Sequence, residues 1–264
     1  MKRVLKIAIS FFFFALLAPV RLARSVLGAP QSRLTILYYH SVPAALGPRF
    51  SRQMALLHRF ARVVAADWQG GGPHHSFNVA ITFDDAFDSV LDQALPILAE
   101  RRFPCTIFAP SSCLGHAPSW EVESDRDSAE SVAEASRLAN LPADRVTIGS
   151  HTMSHPHLTR LSSDDVRREV AQSAIDLQRL VNRSVTLLAF PYGDYDGRVV
   201  QLCSESGYRH VFTINPALVN PANGFIRGRV AVDPSDGTLE FFLKAAGAYA
   251  WMSSFSAAKR KIVG

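Results

Sequence analysis

Short apolar runs alternate with amphipathic stretches along most of this chain. Seven of the runs are rich in β-branched and aromatic residues and are bounded by turn-forming residues, which predicts β-strands. The predicted strands are Leu34–Tyr39, Val79–Phe83, Cys105–Ala109, Arg145–Ile148, Val185–Phe190, His210–Ile214 and Phe225–Val232.

Amphipathic helices are predicted between the strands. The clearest begins at Ser162, whose side chain suits an N-terminal cap, and Val166 and Val170 then recur at helical spacing. The stretches Asp88–Arg102 and Arg198–Ser206 show the same kind of pattern.

This alternation predicts an α/β protein whose parallel sheet is covered by helices. We expect a closed or nearly closed β/α barrel, with an open doubly wound sheet as the alternative. In such barrels the chemistry lies at the carboxyl ends of the strands. Residues 115–142 are polar and irregular, and we expect them to form a surface excursion.

The distribution of charged residues is most uneven at the amino terminus. The 264-residue chain carries a formal net charge of +5, and five of its cations lie in the first 24 residues, whereas its first acidic residue is Asp67. Without those five, the 28 Lys and Arg fall to 23, equal to the 23 Asp and Glu. The body is therefore neutral and has no basic stripe, so we expect no nucleic-acid partner.

The first 30 residues are expected to be a signal peptide or an N-terminal membrane anchor. Basic residues precede an apolar run, Ile7–Val20, which is typical of export signals. We therefore expect a periplasmic, extracellular or membrane-anchored protein, with the barrel domain spanning residues 31–264. A buried N-terminal helix is the alternative. The apolar segment Phe241–Met252 precedes a basic end, Lys259-Arg260-Lys261. It is expected to pack on the barrel, and contact with a membrane or an anionic polymer is the alternative.

The three cysteines show no metal or redox spacing. A disulfide between Cys105 and Cys113 is one option in an oxidising compartment. The preferred interpretation is that Cys105 is an apolar strand residue and Cys203 a helix residue.

Two adjacent carboxylates follow the second predicted strand. Like charges as close as those of Asp84 and Asp85 raise one pKa unless a cation neutralises one of them. A metal ion bound by one carboxylate would leave the other free to act as a base. A simple Asp-Asp turn is the alternative.

Two histidines follow the fourth predicted strand, at the same expected edge of the sheet. His151 and His155 are four residues apart, so a single turn can present both imidazoles to one ion. One carboxylate and two neutral imidazoles suit a divalent transition metal, most readily Zn²⁺.

Two further strand ends carry candidate residues. His40 follows the first strand and is a candidate general acid, or else a structural histidine. The Pro191-Tyr192-Gly193 turn follows the fifth strand, where a backbone N–H would be able to stabilise an oxyanion.

These segments together resemble a known family. Thr82-Phe83-Asp84-Asp85-Ala86, His151-Thr152-Met153-Ser154-His155-Pro156 and Phe190-Pro191-Tyr192-Gly193 are similar, in order and spacing, to three motifs of the polysaccharide deacetylases, carbohydrate esterase family 4. Leu37-Tyr38-Tyr39-His40-Ser41-Val42 resembles the N-terminal strand of the subgroup that acts on poly-N-acetylglucosamine exopolysaccharides. The resemblance extends over residues 34–232.

The resemblance implies a distorted (β/α)7 barrel and a role for each candidate residue. Asp84 looks like the catalytic base, and the metal ligands would be Asp85, His151 and His155. Tyr192 would offer its backbone N–H to the oxyanion and His40 would be the general acid, with Thr152 ordering the histidine loop.

Two positions depart from the family pattern. Ala86 replaces a glycine, which is compatible with the fold if φ at that position is negative. Leu188 stands where many members carry an arginine that pairs with the catalytic base, so the partner of Asp84 is in question.

The expected activity is hydrolytic removal of N-acetyl groups from an N-acetylated polysaccharide or oligosaccharide of the envelope or of an exopolysaccharide. The absent arginine motivates one alternative, a sugar-binding barrel that has lost catalysis. A second alternative is an esterase acting on O-acetyl groups. Trp120, in the excursion, is a candidate for stacking on sugar rings.

Overall fold

A ring of short parallel strands forms the centre of the computed structural model, which describes residues 2–26, 33–71, 77–122, 124–222 and 224–253. Within these residues nine strands pair in the order β8-β7-β6-β5-β4-β3-β1-β9, and β2 pairs with β3. The strands are β1 (Leu34–Tyr39), β2 (Arg62–Val63), β3 (Asn78–Phe83), β4 (Cys105–Ala109), β5 (Val146–Ser150), β6 (Leu187–Ala189), β7 (His210–Thr213), β8 (Ile226–Gly228) and β9 (Val230–Ala231).

The barrel nearly closes through one stretch of chain. β8 pairs with β7, and β9 pairs with β1. Only Arg229 separates β8 from β9, so the predicted strand Phe225–Val232 divides at this residue and joins the two ends of the sheet. The predicted barrel is confirmed, and the open doubly wound sheet is wrong.

Seven α-helices are described around the barrel. They are α1 (Lys2–Val26), α2 (Gly47–Phe60), α3 (Leu95–Glu100), α4 (Ala135–Ala139), α5 (Ser163–Val181), α6 (Gly197–Glu205) and α7 (Thr238–Ala245). Ser162 caps α5, because its side chain accepts a hydrogen bond from the Asp165 N–H. The hydrophobic pattern of the sequence did not predict α2.

The predicted helix Asp88–Arg102 is not uniform. A wider, π-type turn spans Val90–Ala94 before α3 begins at Leu95. Pro96 explains the change, because proline has no N–H to donate to the carbonyl one turn earlier and its ring crowds that carbonyl.

The adjacent strands β1, β3 and β4 are buried on both faces, as expected of a parallel sheet covered by helices. Every residue of β1 and β3 is buried. Aromatic rings fill the space between the sheet and α2: Tyr39 lies 5.2 Å from Phe50 and 5.6 Å from Phe83, measured between ring centroids. The three cysteines are free thiols, with Cys105 buried in β4 and Cys203 in α6.

The amino-terminal helix α1 contacts the barrel along one side. Its Arg3 pairs with Asp236 and Glu240, and its Phe14 ring packs 5.3 Å from Phe242. In the described parts of the chain, no helix is both long enough and apolar enough to cross a membrane. Whether this segment is an export signal or an anchor stays a prediction.

Residues 27–32, which adjoin the predicted boundary of the leader, lie outside the described residues, as does the basic carboxyl terminus. The segment Phe241–Met252 contributes the second half of α7 and the turns that follow it. Phe241 and Leu243 are fully buried in the main core, so this segment packs on the barrel, as the sequence predicted.

Candidate active site and metal-binding group

One small pocket at the carboxyl edge of the barrel brings the predicted site residues together. It is lined by His40, Asp84, Asp85, His151, His155 and Tyr192, together with Trp120, Glu121, Val122, Phe190 and Ile214. The predicted residues meet there because β1, β3, β5 and β6 run parallel, so that the residues following each strand reach the same edge.

Asp84 forms a bidentate ion pair with a residue that the sequence analysis did not identify. The two terminal nitrogens of Arg229 lie 2.6 and 2.7 Å from Oδ1 and Oδ2 of Asp84. Arg229 is fully buried, and its guanidinium also donates to the Thr82 hydroxyl and the Thr213 carbonyl. Both partners are therefore held rigidly between β3 and the closing stretch.

The arginine controls the protonation of this carboxylate. Burial alone would raise the pKa of Asp84, but the charge of Arg229 and its hydrogen bonds outweigh burial and lower the pKa to about 2. Asp84 is therefore ionised at neutral pH.

The cation expected near position 188 thus comes from position 229 instead. Leu188 is buried in an apolar cluster around α5 and α6. A signal was present in the sequence: a predicted buried strand containing arginine needs a partner for that charge.

Asp85 faces the two histidines rather than the arginine. Its Oδ1 lies 3.6 Å from Nε2 of His151 and 3.4 Å from Nε2 of His155. One ligand atom from each of these three buried residues lies within 4.8 Å of the others, which makes the group a candidate metal site. The two adjacent aspartates therefore have different partners.

The histidines are in the state that metal binding requires. The carbonyl of Ala189 lies 2.8 Å from Nδ1 of His151, so the ring proton belongs on Nδ1 and Nε2 keeps its lone pair toward Asp85. Burial lowers the pKa of His151 to about 4, and burial together with the charge of His151 lowers the pKa of His155 to about 2. One carboxylate and two neutral imidazoles fit a divalent transition metal.

Helix α5 holds the loop that carries both histidines. Glu169 accepts hydrogen bonds from the backbone N–H groups of Met153 and Ser154 at 2.9 and 3.0 Å. The Thr152 hydroxyl accepts from the His155 N–H at 3.1 Å, and the Ser173 hydroxyl donates to the Thr152 carbonyl. The arrangement supports the loop-ordering role expected of Thr152.

Unusual backbone conformations concentrate in this site. Seven non-glycine residues among those described have positive φ, and five of them are Asp85, Ala86, Thr152, His155 and Tyr192. Left-handed conformations cost energy for residues with a Cβ atom, so the surrounding hydrogen bonds must hold them.

The condition stated for the replacement of glycine by Ala86 is not met. Its φ is 53° rather than negative. The methyl group that replaces the family's usual hydrogen therefore occupies a left-handed position, which is unfavourable for alanine. The burial of Ala86 in the main core offers a compensating contact.

The turn at Tyr192 requires the glycine that follows it. Tyr192 has φ 58° and Gly193 has φ 64°. A Cβ atom on Gly193 would lie 2.3 Å from Cγ1 of Ile214, so only glycine fits there. The Tyr192 ring stacks on His157 at 3.9 Å.

Aromatic rings cover the second histidine on two sides. The Trp120 ring stacks on His155 with 4.5 Å between centroids, and the Tyr192 ring meets it edge-on at 4.7 Å. Trp120 therefore lies in the pocket, in contact with a candidate metal ligand.

His40 lies next to the candidate metal-binding group, nearest to the second carboxylate oxygen of Asp85. Its Nε2 is 4.0 Å from Oδ2 of Asp85, and its ring packs edge-on against Tyr38. The next residue, Ser41, donates a 2.5 Å hydrogen bond to the buried carboxylate of Asp127. This bond attaches the end of β1 to the excursion.

Comparisons with known proteins find one matching family and several relatives. Residues 71–211, more than half of the chain, match the family described as polysaccharide deacetylase. A peptidoglycan-N-acetylglucosamine deacetylase of Bacillus cereus is 28% identical over 178 residues, covering 65% of this chain and 58% of that protein. A poly-β-1,6-N-acetyl-D-glucosamine N-deacetylase of Staphylococcus aureus is 22% identical over 171 residues, covering 63% of this chain and 58% of that protein.

A solved structure shows the same fold. IcaB from Ammonifex degensii superposes with a TM-score of 0.69 at 22% identity, covering 84% of this chain and 99% of that chain. The two curated relatives are matched over little more than half of their length. The family range includes the Asp pair, the histidine loop and Tyr192, whereas His40 and Arg229 lie outside it.

Proposed function

This chain belongs to the polysaccharide deacetylase family, and from that premise we propose that it hydrolyses N-acetyl groups on the sugars of an N-acetylated polysaccharide. One observation carries the proposal. Adjacent carboxylates have separate partners: Asp85 faces His151 and His155, and Asp84 is held by Arg229. A metal-binding group and an ionised base therefore lie side by side.

The metal-binding group would consist of Asp85, His151 and His155, and Zn²⁺ is the ion that this donor set suits best. When bound, such an ion would polarise the acetamide carbonyl and acidify a water molecule. His151 is oriented for this task by the Ala189 carbonyl.

Asp84 is the proposed base. It is ionised, it lines the pocket, and its two Arg229 hydrogen bonds fix the direction of its carboxylate. A carboxylate oxygen has more than one lone pair, so Asp84 accepts the proton of the attacking water while the ion pair stays in place. Arg229 then balances the charge that remains in the buried site.

Tyr192 and His40 are proposed to act on the two ends of the breaking amide. Tyr192, in its left-handed turn, would offer its backbone N–H to the oxyanion that develops on the carbonyl oxygen. His40, which lies beside Asp85, would give its proton to the leaving amine nitrogen. The products are acetate and a free amino sugar.

The substrate class follows from the family and its relatives. The two curated relatives are described as acting on peptidoglycan N-acetylglucosamine and on poly-β-1,6-N-acetylglucosamine. We propose that this chain also acts on polymers of N-acetylglucosamine. Export to the envelope, which the leader predicts, would bring the protein to such polymers.

The alternative of an inactive sugar-binding barrel loses its motivation. That alternative rested on the absence of an arginine near Leu188, and Arg229 pairs with Asp84 instead. Both proposed acid–base groups and all three proposed ligands line one pocket.

Acetate release tests the proposal directly. The purified protein is incubated with N-acetylglucosamine oligomers, exopolysaccharide and O-acetylated sugars, with and without chelator. We expect acetate from the N-acetylated substrates, abolished by chelator and restored by Zn²⁺. Acetate from O-acetyl sugars alone would support the esterase instead, and metal-independent release would refute the proposed site.

A further inference from the structure

A carboxylate that the proposed reaction does not use joins the turn at Tyr192 to the loop that carries both histidines. Asp194 follows this turn, and its side chain accepts hydrogen bonds from the backbone N–H and the hydroxyl of Thr159. The Thr159 nitrogen lies 3.0 Å from Oδ2, and the hydroxyl oxygen lies 2.7 Å from Oδ2 and 2.9 Å from Oδ1. Thr159 comes four residues after His155, a candidate metal ligand.

A stacked pair of rings forms a second contact between the two segments. The rings of His157 and Tyr192 are nearly parallel, with 12° between their planes and 3.9 Å between their centroids. Nδ1 of His157 also lies 3.7 Å from Oδ2 of Asp194. We call the three residues His157, Thr159 and Asp194 the clamp. None of them lines the catalytic pocket, so the clamp supports the site from outside.

The sheet itself joins these two segments at few points. β5, which precedes the histidines, and β6, which precedes the Tyr192 turn, pair at a single position, Ser150 with Leu188. By contrast, β4 and β5 pair at five positions. The contact between His151 and the Ala189 carbonyl adds one link near the strand ends. Beyond that link, the clamp ties the two segments together through side chains.

The conformation of the turn explains why it needs such support. Tyr192 and Gly193 are both left-handed, with φ of 58° and 64°, and this conformation is unfavourable for tyrosine. Two backbone hydrogen bonds of 2.9 Å close the turn, from the N–H of Gly193 to Phe190 and from the N–H of Asp194 to Pro191. Relaxation of the turn would redirect the Tyr192 N–H, which is the proposed oxyanion donor.

Resting on the proposed function, we propose that the clamp sets the position of the Tyr192 N–H relative to the metal-binding group. His157, Thr159 and Asp194 are positioning residues, because they act through Tyr192 and tie the oxyanion donor to the loop that carries two metal ligands. The oxyanion develops only as water attacks the amide. Loss of the clamp should therefore lower kcat and leave KM nearly unchanged.

Substitutions that remove the hydrogen bonds of the clamp test its role. The kcat and KM for acetate release are measured on an N-acetylglucosamine pentamer, per equivalent of bound metal. For Asp194→Ala we expect kcat to fall about tenfold with KM changed by less than about twofold, because the donor is displaced rather than removed. Thr159→Val keeps the backbone hydrogen bond and should lose less. Thr159→Ser keeps the hydroxyl and should retain most of the wild-type kcat.

An N-trifluoroacetyl substrate separates positioning from a general loss of structure. Fluorine withdraws electron density from the oxyanion, so this intermediate depends less on a hydrogen-bond donor. The loss in Asp194→Ala should therefore shrink to about threefold or less on the N-trifluoroacetyl analogue of the same pentamer. An equal loss on both substrates would overturn the positioning role, and so would a wild-type kcat in Asp194→Ala.

Paired substitutions test the stacked ring. His157→Phe keeps a flat ring against Tyr192, whereas His157→Ala removes it. We expect kcat to fall about fivefold in His157→Ala and to change little in His157→Phe. Equal losses in the two variants would contradict stacking as a part of the clamp. Thr147→Val is the matched control for Thr159→Val, because Thr147 is also partly buried, lies on β5 and does not line the catalytic pocket; it should leave kcat unchanged.

Hydrogen exchange separates this inference from the proposed chemistry. Exchange in peptides covering residues 190–195 is followed by mass spectrometry, with chelator present, for the wild type, Thr159→Val and Thr147→Val. Neither substitution alters the sequence of the turn. We expect the amides of Gly193 and Asp194 to exchange about fivefold faster in Thr159→Val alone. Faster exchange supports the clamp even if no acetate is ever released, whereas unchanged exchange refutes it even if the deacetylase activity is found.

Discussion

Two buried arginines on the closing stretch have different partners. Arg227 and Arg229 are both fully buried, and because they are two residues apart in extended chain their side chains leave on the same face. Arg229 binds the carboxylate of Asp84. Arg227 donates instead to the backbone carbonyls of Ala66 and Pro221.

On the proposed mechanism, the charge of Arg229 serves the reaction, whereas Arg227 binds backbone carbonyls where the barrel closes. Arg229 compensates the buried carboxylate of the proposed base, Asp84. Arg227 donates its hydrogen bonds to backbone carbonyls. Burial, partly offset by the charge of Asp67, lowers its pKa to about 10, which still leaves it charged at neutral pH. Substitution of Arg229 should therefore reduce activity strongly, whereas substitution of Arg227 should reduce stability alone.

The largest effect is expected from Arg229→Met. The substitution leaves the Asp84 carboxylate buried without its partner, at a cost of about 3–5 kcal/mol in the free energy of unfolding. Acetate release should fall by about 10²-fold or more, because the base loses both its orientation and its charge balance. Urea unfolding in the presence of chelator gives the stability without any contribution from bound metal. Near-normal activity would show that Arg229 does not control Asp84.

Arg227→Met is the matched substitution and should act on stability only. It leaves the carbonyls of Ala66 and Pro221 without their donor, which costs about 1–3 kcal/mol. The kcat per folded molecule should stay close to that of the wild type. A loss of kcat as large as that of Arg229→Met would remove the distinction between the two arginines.

The strand ends and the local motifs were predictable from sequence because their signals are local. The adjacent Asp84 and Asp85 at a strand end, and two histidines four residues apart, reveal shared chemistry without knowledge of distant contacts. The boundaries of β1 and β4 were predicted without error for the same reason.

The partner of Asp84 was missed because it is 145 residues away in the sequence. Only closure of the barrel brings Arg229 to β3. An arginine in a predicted buried strand signals that it needs a partner, but no local pattern identifies Asp84 as that partner. The left-handed backbone at Ala86 was missed for a related reason, since a tight turn imposed by the site overrides the preference of alanine.

The smallest effect is expected at Ala86, whose strained turn lies beside the Asp84–Arg229 pair. Ala86→Gly should raise the free energy of unfolding by about 1 kcal/mol, because glycine adopts positive φ without steric cost. Asn182→Gly, at the end of α5, is the control: asparagine already tolerates its φ of 49°, so the gain there should be smaller. Thermal unfolding of both variants measures the difference, and destabilisation by Ala86→Gly would contradict the account of strain.

The most direct test of the two roles assigned to the adjacent aspartates is metal content measured together with acetate release in Asp84→Asn and Asp85→Asn. The account predicts that Asp84→Asn keeps a full equivalent of metal and loses activity, because Asp84 is bound to Arg229 and lies outside the metal-binding group. Asp85→Asn should lose both. Full acetate release by Asp84→Asn, or loss of its metal with retention by Asp85→Asn, would contradict the central claim.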